Sequence, residues 1–237
     1  MSPLALRRVE PELLDSLPVV DQRAIASRRD LARVNAIMGQ ARIAARLLRD
    51  NLAQPPKRIL EIGAGDGSFM LKLAERLSPQ WKNVEVVLLD RQHLLSDERF
   101  AAFSALGWRV RPLQADIFEW TARAEEERFD AVTTNLFLHH FSDTELRLIF
   151  ERLAMIAPLL TATEPLRSGV ALFGTRMLWA LGANEVTRHD AAASVRAGFV
   201  GNELSTLWPE EPAFETFERR RGLFTHTFVA RRAGRRR

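Results

Sequence analysis

Between residues 20 and 50, Leu31, Val34, Ile37, Met38, Ile43, Ala44 and Leu47 recur at spacings of three and four, which predicts one continuous helix. Pro55 and Pro56 end it, because proline lacks the N–H that a helix interior needs. From Lys57 the pattern changes. KRILEIG is a short apolar run closed by glycine, and LKLAERL after it is amphipathic, so strand, loop and helix succeed one another. Further strands are expected at 84–90, 108–113, 129–136 and 159–165, with helical segments near 98–106, Trp120 and 142–156 between them. The run Val86-Val87-Leu88-Leu89 has no polar interruption, as suits a strand buried on both faces. Strands that alternate with helices imply an α/β, doubly wound parallel sheet covered on both sides. The chain ends differently, with strand-like runs at 213–219 and 223–230 joined by a tight turn at Arg221-Gly222. A C-terminal antiparallel hairpin makes the expected sheet seven-stranded and mixed.

The expected organisation is an N-terminal helical cap (1–54), a doubly wound α/β domain (55–232) and a basic tail (233–237). A helical lid insertion at 166–211 interrupts the domain. A length of 237 residues, 46% apolar and 27% charged, suits one globular unit with a single large core. The absence of cysteine excludes disulfides, thiolate metal sites, cysteine-bound iron–sulfur clusters and a cysteine nucleophile. The formal charge of +4 comes almost wholly from arginine, only Lys57, Lys72 and Lys82 being lysines. Outside Arg219 to Arg221 and the tail, the basic residues are spread along the chain, so nucleic acid is not the expected partner. The opening MSPLALRRVEPELLD does not read as a secretory signal, and no apolar stretch reaches the roughly 20 residues of a transmembrane helix. A cytoplasmic location is expected. Composition leaves the oligomeric state open.

Candidate chemistry begins at Gly63, Gly65 and Gly67, which follow a strand and precede a helix, where backbone can approach a ligand and amides point at it. The spacing is GxGxG. A dinucleotide loop reads GxGxxG, and its third glycine position is held here by Ser68, which disfavours NAD. Asp90 ends the second strand, where a carboxylate faces the ribose hydroxyls of a ligand held by such a loop.

These stretches resemble the class I, Rossmann-like S-adenosylmethionine-dependent methyltransferases of small-molecule type. EIGAGDG (61–67) looks like the family's glycine motif, LLD ending at Asp90 like the next motif, QADIF (114–118) like the acidic turn after strand three, and TTNLFLHHF (133–141) like the strand-four motif. The resemblance implies that Glu61, Gly63, Ala64 and Gly65 lie along the methionine and ribose of S-adenosylmethionine. It also implies that Asp90 takes the ribose hydroxyls and Arg91 flanks the adenine. Asp116 would accept from the adenine amino group, Ile117 would offer its N–H to the ring, and Asn135 would sit by the sulfonium. S-adenosylhomocysteine would be the product.

A small-molecule methyl acceptor is the expected partner. Asn135 is followed by Leu136-Phe137-Leu138 and not by the Pro-Pro-aromatic stretch of amino-adenine DNA enzymes. His139, His140 and His189 are candidate general bases, since histidine can take a hydroxyl proton near neutral pH. The alternative for the pair is that one packs under the loop while the other caps the next helix near Ser142. For His189 it is that Asp190 caps the helix AAASVRAGF. No Asp, Glu and His cluster at ligand spacing follows strand four, so no metal is expected. Phe173, Met177, Trp179, Phe199, Leu204 and Trp208 in the insertion are expected mostly in the core; two or three of them at the pocket mouth would make the pocket apolar and aromatic. O-methylation of a hydroxylated aromatic is favoured and C-methylation is a close variant. The competing readings are a catalytically silent scaffold and an RNA or protein methyltransferase.

Overall fold

The computed structural model describes residues 4–18, 20–92, 94–123, 127–210 and 213–233. Residue 211 of the expected insertion and residues 234–237 of the expected basic tail lie outside these. Seven strands form one sheet: β1 (Arg58–Ile62), β2 (Glu85–Asp90), β3 (Arg109–Gln114), β4 (Ala131–Asn135), β5 (Leu159–Pro165), β6 (Phe214–Arg221) and β7 (Thr225–Arg232). Their order is β3-β2-β1-β4-β5-β7-β6. The first five are parallel, and β7 inserts antiparallel between β5 and β6. The order reverses between β1 and β4, so their carboxyl ends open a crevice where such sheets bind ligands.

The helices that matter for the site are α1 (Leu13–Ser16), α2 (Gln22–Met38), α3 (Gln40–Asn51), α4 (Ser68–Leu77), α5 (Asp97–Ala105) and α6 (Ile117–Arg123). They continue with α7 (Asp143–Ile156), α8 (Gly169–Arg176) and α9 (Glu185–Ala197). One core cluster packs Leu60, Ile62, Ile149 and Phe150 with Phe199 and Phe228, and the other packs Ile59, Val86, Leu48, Leu73 and Phe103. Every residue of β5 is buried, because the sheet is covered on both faces there.

Three local expectations change. The single helix over 20–50 is two helices, broken at Gly39, whose φ of 68° is left-handed and ends α2. Below the break, α3 buries Ala44, Ala45, Leu47 and Leu48 against the sheet side. Above it, Leu31, Val34, Ile37 and Met38 line a cavity instead of packing in the core. The second change concerns Asp190, which does not cap its own helix. Asn184 caps α9, while Asp190 sits buried within it and accepts the N–H groups of Leu13 and Leu14 at 2.8 and 2.9 Å. In the third, neither histidine of the pair caps α7. Ser142 and Glu145 do so reciprocally in a capping box.

Asp190 thereby anchors the N-terminal segment, which the sequence could not place. Arg7 donates to the Phe141 carbonyl at 2.6 Å and to Asp143 at 2.7 Å, the Arg8 N–H donates to the Arg196 carbonyl, and Arg167 donates to the Leu4 carbonyl. The segment therefore lies across the crevice on its own chain. In the insertion, Phe199, Leu204 and Trp208 are core, half of the set where most were expected, whereas Phe173 and Met177 line the cavity and Trp179 is exposed. Among the described residues no helix is long and apolar enough to cross a membrane.

Candidate functional site

A cavity of about 1080 Å³ opens over the β1 and β4 carboxyl ends. It is lined by Glu61, Gly63, Ala64, Gly65, Asp90, Arg91, Asp116, Ile117 and Asn135 together with His139 and His140. The nine residues expected around a cofactor are thus brought together. His189 is not among the lining residues; it is half exposed on α9, with Nδ1 at 3.0 Å from Asp190.

The three glycines of the loop do different work. Gly63 and Gly65 line the cavity, at φ of 68° and 54°. A Cβ on Gly63 would fall 2.2 Å from Phe137 Cδ2, so the glycine is required by close packing against the segment after β4. A Cβ on Gly65 would meet nothing within 4 Å, so bare backbone faces open space there. Gly67 instead packs toward Leu88 and Leu95. Asp90 holds the loop in place: Oδ2 accepts the Gly65 N–H at 2.8 Å and Oδ1 the Gln92 N–H at 2.9 Å. Each carboxylate oxygen keeps a lone pair for a ligand hydroxyl. Asp116 accepts the Phe118 N–H at 2.8 Å in the first turn of α6, and Asn135 Oδ1 accepts from the Thr163 hydroxyl at 2.8 Å.

Glu61 is buried at the floor of the cradle, and its Oε2 has no hydrogen-bond partner. Burial, then the charges of Asp90 and Asp66, push its carboxyl well above the ordinary range. An isolated buried acid of this kind is a place for a cationic ligand group, which would favour its ionised form. It also carries a stability signature. Unfolded Glu61 ionises near its ordinary value while the folded carboxyl keeps its proton, so its contribution is present at low pH and is lost as pH rises through the folded pKa. Glu61→Gln, which cannot ionise, should therefore match the parent near pH 4 and become progressively more stable than it toward neutral pH. Thermal unfolding across that range checks this, and a difference that does not vary with pH would contradict it.

On the opposite wall, a 3-10 turn after β4 (Leu138–His140) carries the histidine pair. Glu164, buried in β5, accepts the N–H groups of Phe137 and Leu138 and lies 2.8 Å from His139 Nδ1. His139 Nε2 faces Glu12 Oε1 at 3.4 Å, and that oxygen also accepts from the Ser194 hydroxyl. The imidazole rings of His139 and His140 lie 4.3 Å apart. Burial disfavours charge on His139, but Glu12 and Glu164 outweigh it and raise the imidazole to about 9. His140 is lowered, by burial and then by the charge of His139. Glu12 was invisible in the sequence: it lies in a segment with no periodicity, far along the chain from the histidines, and long-range contacts of Arg7, Arg8, Arg167 and Asp190 bring it here.

Comparison with known proteins agrees with this geometry. Residues 59–157 match the family described as "Methyltransferase domain". The tRNA1(Val) (adenine(37)-N6)-methyltransferase of Erwinia tasmaniensis is 38% identical over 69 residues, covering 29% of this chain and 28% of that protein. The malonyl-[acyl-carrier protein] O-methyltransferase of Paenibacillus sp. (strain JDR-2) is 31% identical over 109 residues, covering 45% of this chain and 37% of that protein. The chain thus spans roughly a third of the length of these curated relatives. Among solved structures, the plantazolicin methyltransferase BpumL in complex with SAH superposes with a TM-score of 0.62 at 11% identity, covering 90% of this chain and 92% of that one.

Proposed function

We propose that this protein, whose residues 59–157 match a methyltransferase-domain family, transfers the methyl group of S-adenosylmethionine to a small hydroxylated, largely apolar aromatic molecule. O-methylation is favoured and C-methylation of an activated ring is the close variant. The observation that carries the reading is the buried Glu61 carboxyl with its unpartnered oxygen, set beside the bare backbone of Gly65 and the Asp90 carboxylate. A ligand with a cationic amino-acid end and a ribose fits that donor and acceptor set. The cofactor, when bound, supplies an electrophilic methyl on a sulfonium and leaves as S-adenosylhomocysteine.

The chain's own residues hold and shield the reactants. Glu61 offers its carboxylate to the ammonium end, Asp90 accepts from the ribose hydroxyls, and Arg91, Asp116 and Ile117 bracket the adenine. Asn135, fixed by Thr163, stands at the reacting end. The acceptor occupies the rest of the cavity. Its walls there are Leu31, Val34 and Met38 from α2 and Phe173 and Met177 from the insertion, which acts as a lid. These side chains exclude water and favour an apolar ring, while His139 and His140 face its hydroxyl. Holding acceptor and methyl in line accounts for most of the acceleration, several kcal/mol. Nothing in the cavity calls for a macromolecular acceptor, and a cytoplasmic setting belongs to the same reading.

Incubation with methyl-labelled cofactor and a panel of phenols, hydroxyquinones and aliphatic alcohols tests the proposal. Label should appear in aromatic hydroxyl acceptors and fall at least tenfold in Asp90→Ala at cofactor concentrations below saturation. Cofactor binding with no transfer to any panel member would favour the silent-scaffold alternative.

A further inference from the structure

Glu12, His139 and His140 come from two distant stretches of chain, yet one donor atom of each lies within 4.8 Å of the others. The group faces the cavity beside Asn135. Its charge is unbalanced. Glu12 and Glu164 flank His139 on either side, Glu164 is fully buried, and among the described residues neither forms an ion pair with lysine or arginine. A cation between the two carboxylates would balance them: either a proton on His139 or a metal ion.

The two nitrogens of His139 are not equivalent. Nδ1 makes a 2.8 Å hydrogen bond to Glu164, the geometry of an N–H donor on a carboxylate. Nε2 is buried, points at Glu12 Oε1 from 3.4 Å, and has no hydrogen-bond partner. An imidazolium held at both ends would close that second gap to roughly 2.7–2.9 Å. A 3.4 Å gap also fits two ligands on one ion, since donors about 2.0–2.2 Å from a tetrahedral centre stand roughly 3.3–3.6 Å apart; the His140 donor, within 4.8 Å of the other two, would move inward to join them. The outer contacts match as well. Metal-bound histidines donate their other N–H to a carboxylate, as His139 does to Glu164, and ligating carboxylates are themselves hydrogen-bonded, as Glu12 is by Ser194.

We propose that Glu12, His139 and His140 form a binding site for one divalent transition-metal ion of the zinc type. Two imidazoles and one carboxylate suit such ions and not magnesium or calcium, which take all-oxygen shells. Three protein ligands leave a position open toward the cavity. There an acceptor hydroxyl oxygen can bind and pass its proton to solvent water more readily, as water does on zinc, with the histidines then serving as ligands and not as bases. That role in turning over the acceptor rests on the methyl-transfer reading, whereas the site itself does not. It also ties the N-terminal segment to the reaction, since the segment supplies one of the three ligands.

Chelator-treated full-length protein without a histidine tag, titrated calorimetrically with zinc chloride near neutral pH, tests the site. The expected result is saturable binding of one zinc per chain, no comparable response to magnesium, and at least tenfold weaker binding in both Glu12→Gln and His140→Ala. His189→Ala, on exposed α9 surface, should bind as the parent does. Thermal unfolding of each zinc-free variant checks that it is folded; His140 is about a quarter exposed, so its truncation is the milder change. Absence of saturable binding, or binding that either Glu12→Gln or His140→Ala leaves unchanged, overturns the proposal. S-adenosylhomocysteine binding measured on the same sample separates this outcome from failure of the methyltransferase reading.

Discussion

Gly63→Ala should destabilise the fold by about 2–5 kcal/mol and abolish cofactor binding at any practical concentration. Part of that cost is placing a side chain at φ of 68°, roughly 1–2 kcal/mol. The rest is overpacking, because the new methyl would sit 2.2 Å from Phe137 Cδ2, and relief means moving the ring, at about 1–3 kcal/mol more. Phe137 also packs edge-on against Phe141 at 4.9 Å and directly precedes the turn with the histidines, so displacing it disturbs both walls of the cavity. Gly65→Ala is the informative contrast. It shares the positive φ but meets no neighbour within 4 Å, so it should cost only the backbone strain while its methyl protrudes where the ligand lies. Urea unfolding of the two variants measures the difference; equal destabilisation would mean that Phe137 is not the obstacle.

Asp90→Ala should weaken S-adenosylhomocysteine binding by at least tenfold, on the order of 1.5–3 kcal/mol for charge-assisted hydrogen bonds. Two losses combine. The ribose hydroxyls lose their acceptor, and the N–H groups of Gly65 and Gln92 lose theirs, so the loop is no longer set before the ligand arrives. Asp90→Asn keeps one oxygen acceptor and should recover part of the affinity. Calorimetric titration decides, and affinity unchanged in Asp90→Ala would remove the ribose assignment.

The parts of this fold written as periodicity were legible in the sequence. Strand–glycine–helix order, the uninterrupted Val86 to Leu89 run and the hairpin signal at Gly222 each rest on local chemistry, and each appears in the sheet, the hairpin with its turn at 222–224 because Arg221 still pairs with Thr225 in the ladder. The residues around the glycine cradle were legible for the same reason, since the carboxyl ends of β1, β2 and β4 deliver them to one place whatever the rest of the chain does. The break at Gly39 was hidden because apolar spacing continues across it: Ile37 and Met38 line the cavity while Ala44 and Leu47 are core, and period alone does not tell these apart. Glu12 and Asp190 were hidden for a different reason. Their roles exist only through long-range contacts, Glu12 with His139 and Ser194, Asp190 with the amides of Leu13 and Leu14. A local reading of Asp190 before an alanine-rich stretch makes it the cap of a helix that begins at Glu185 and holds it inside. His189 was drawn in by its type and its neighbour, and the structure leaves it on exposed surface.

The central claim is that the glycine cradle, Glu61 and Asp90 bind S-adenosylmethionine. It is tested most directly by calorimetric titration of the purified chain with S-adenosylmethionine and S-adenosylhomocysteine, with NAD as the control. One site per chain, with micromolar affinity for the first two and none for NAD, is the expected result. Absence of binding by either sulfur nucleoside, or equal binding of NAD, would contradict it.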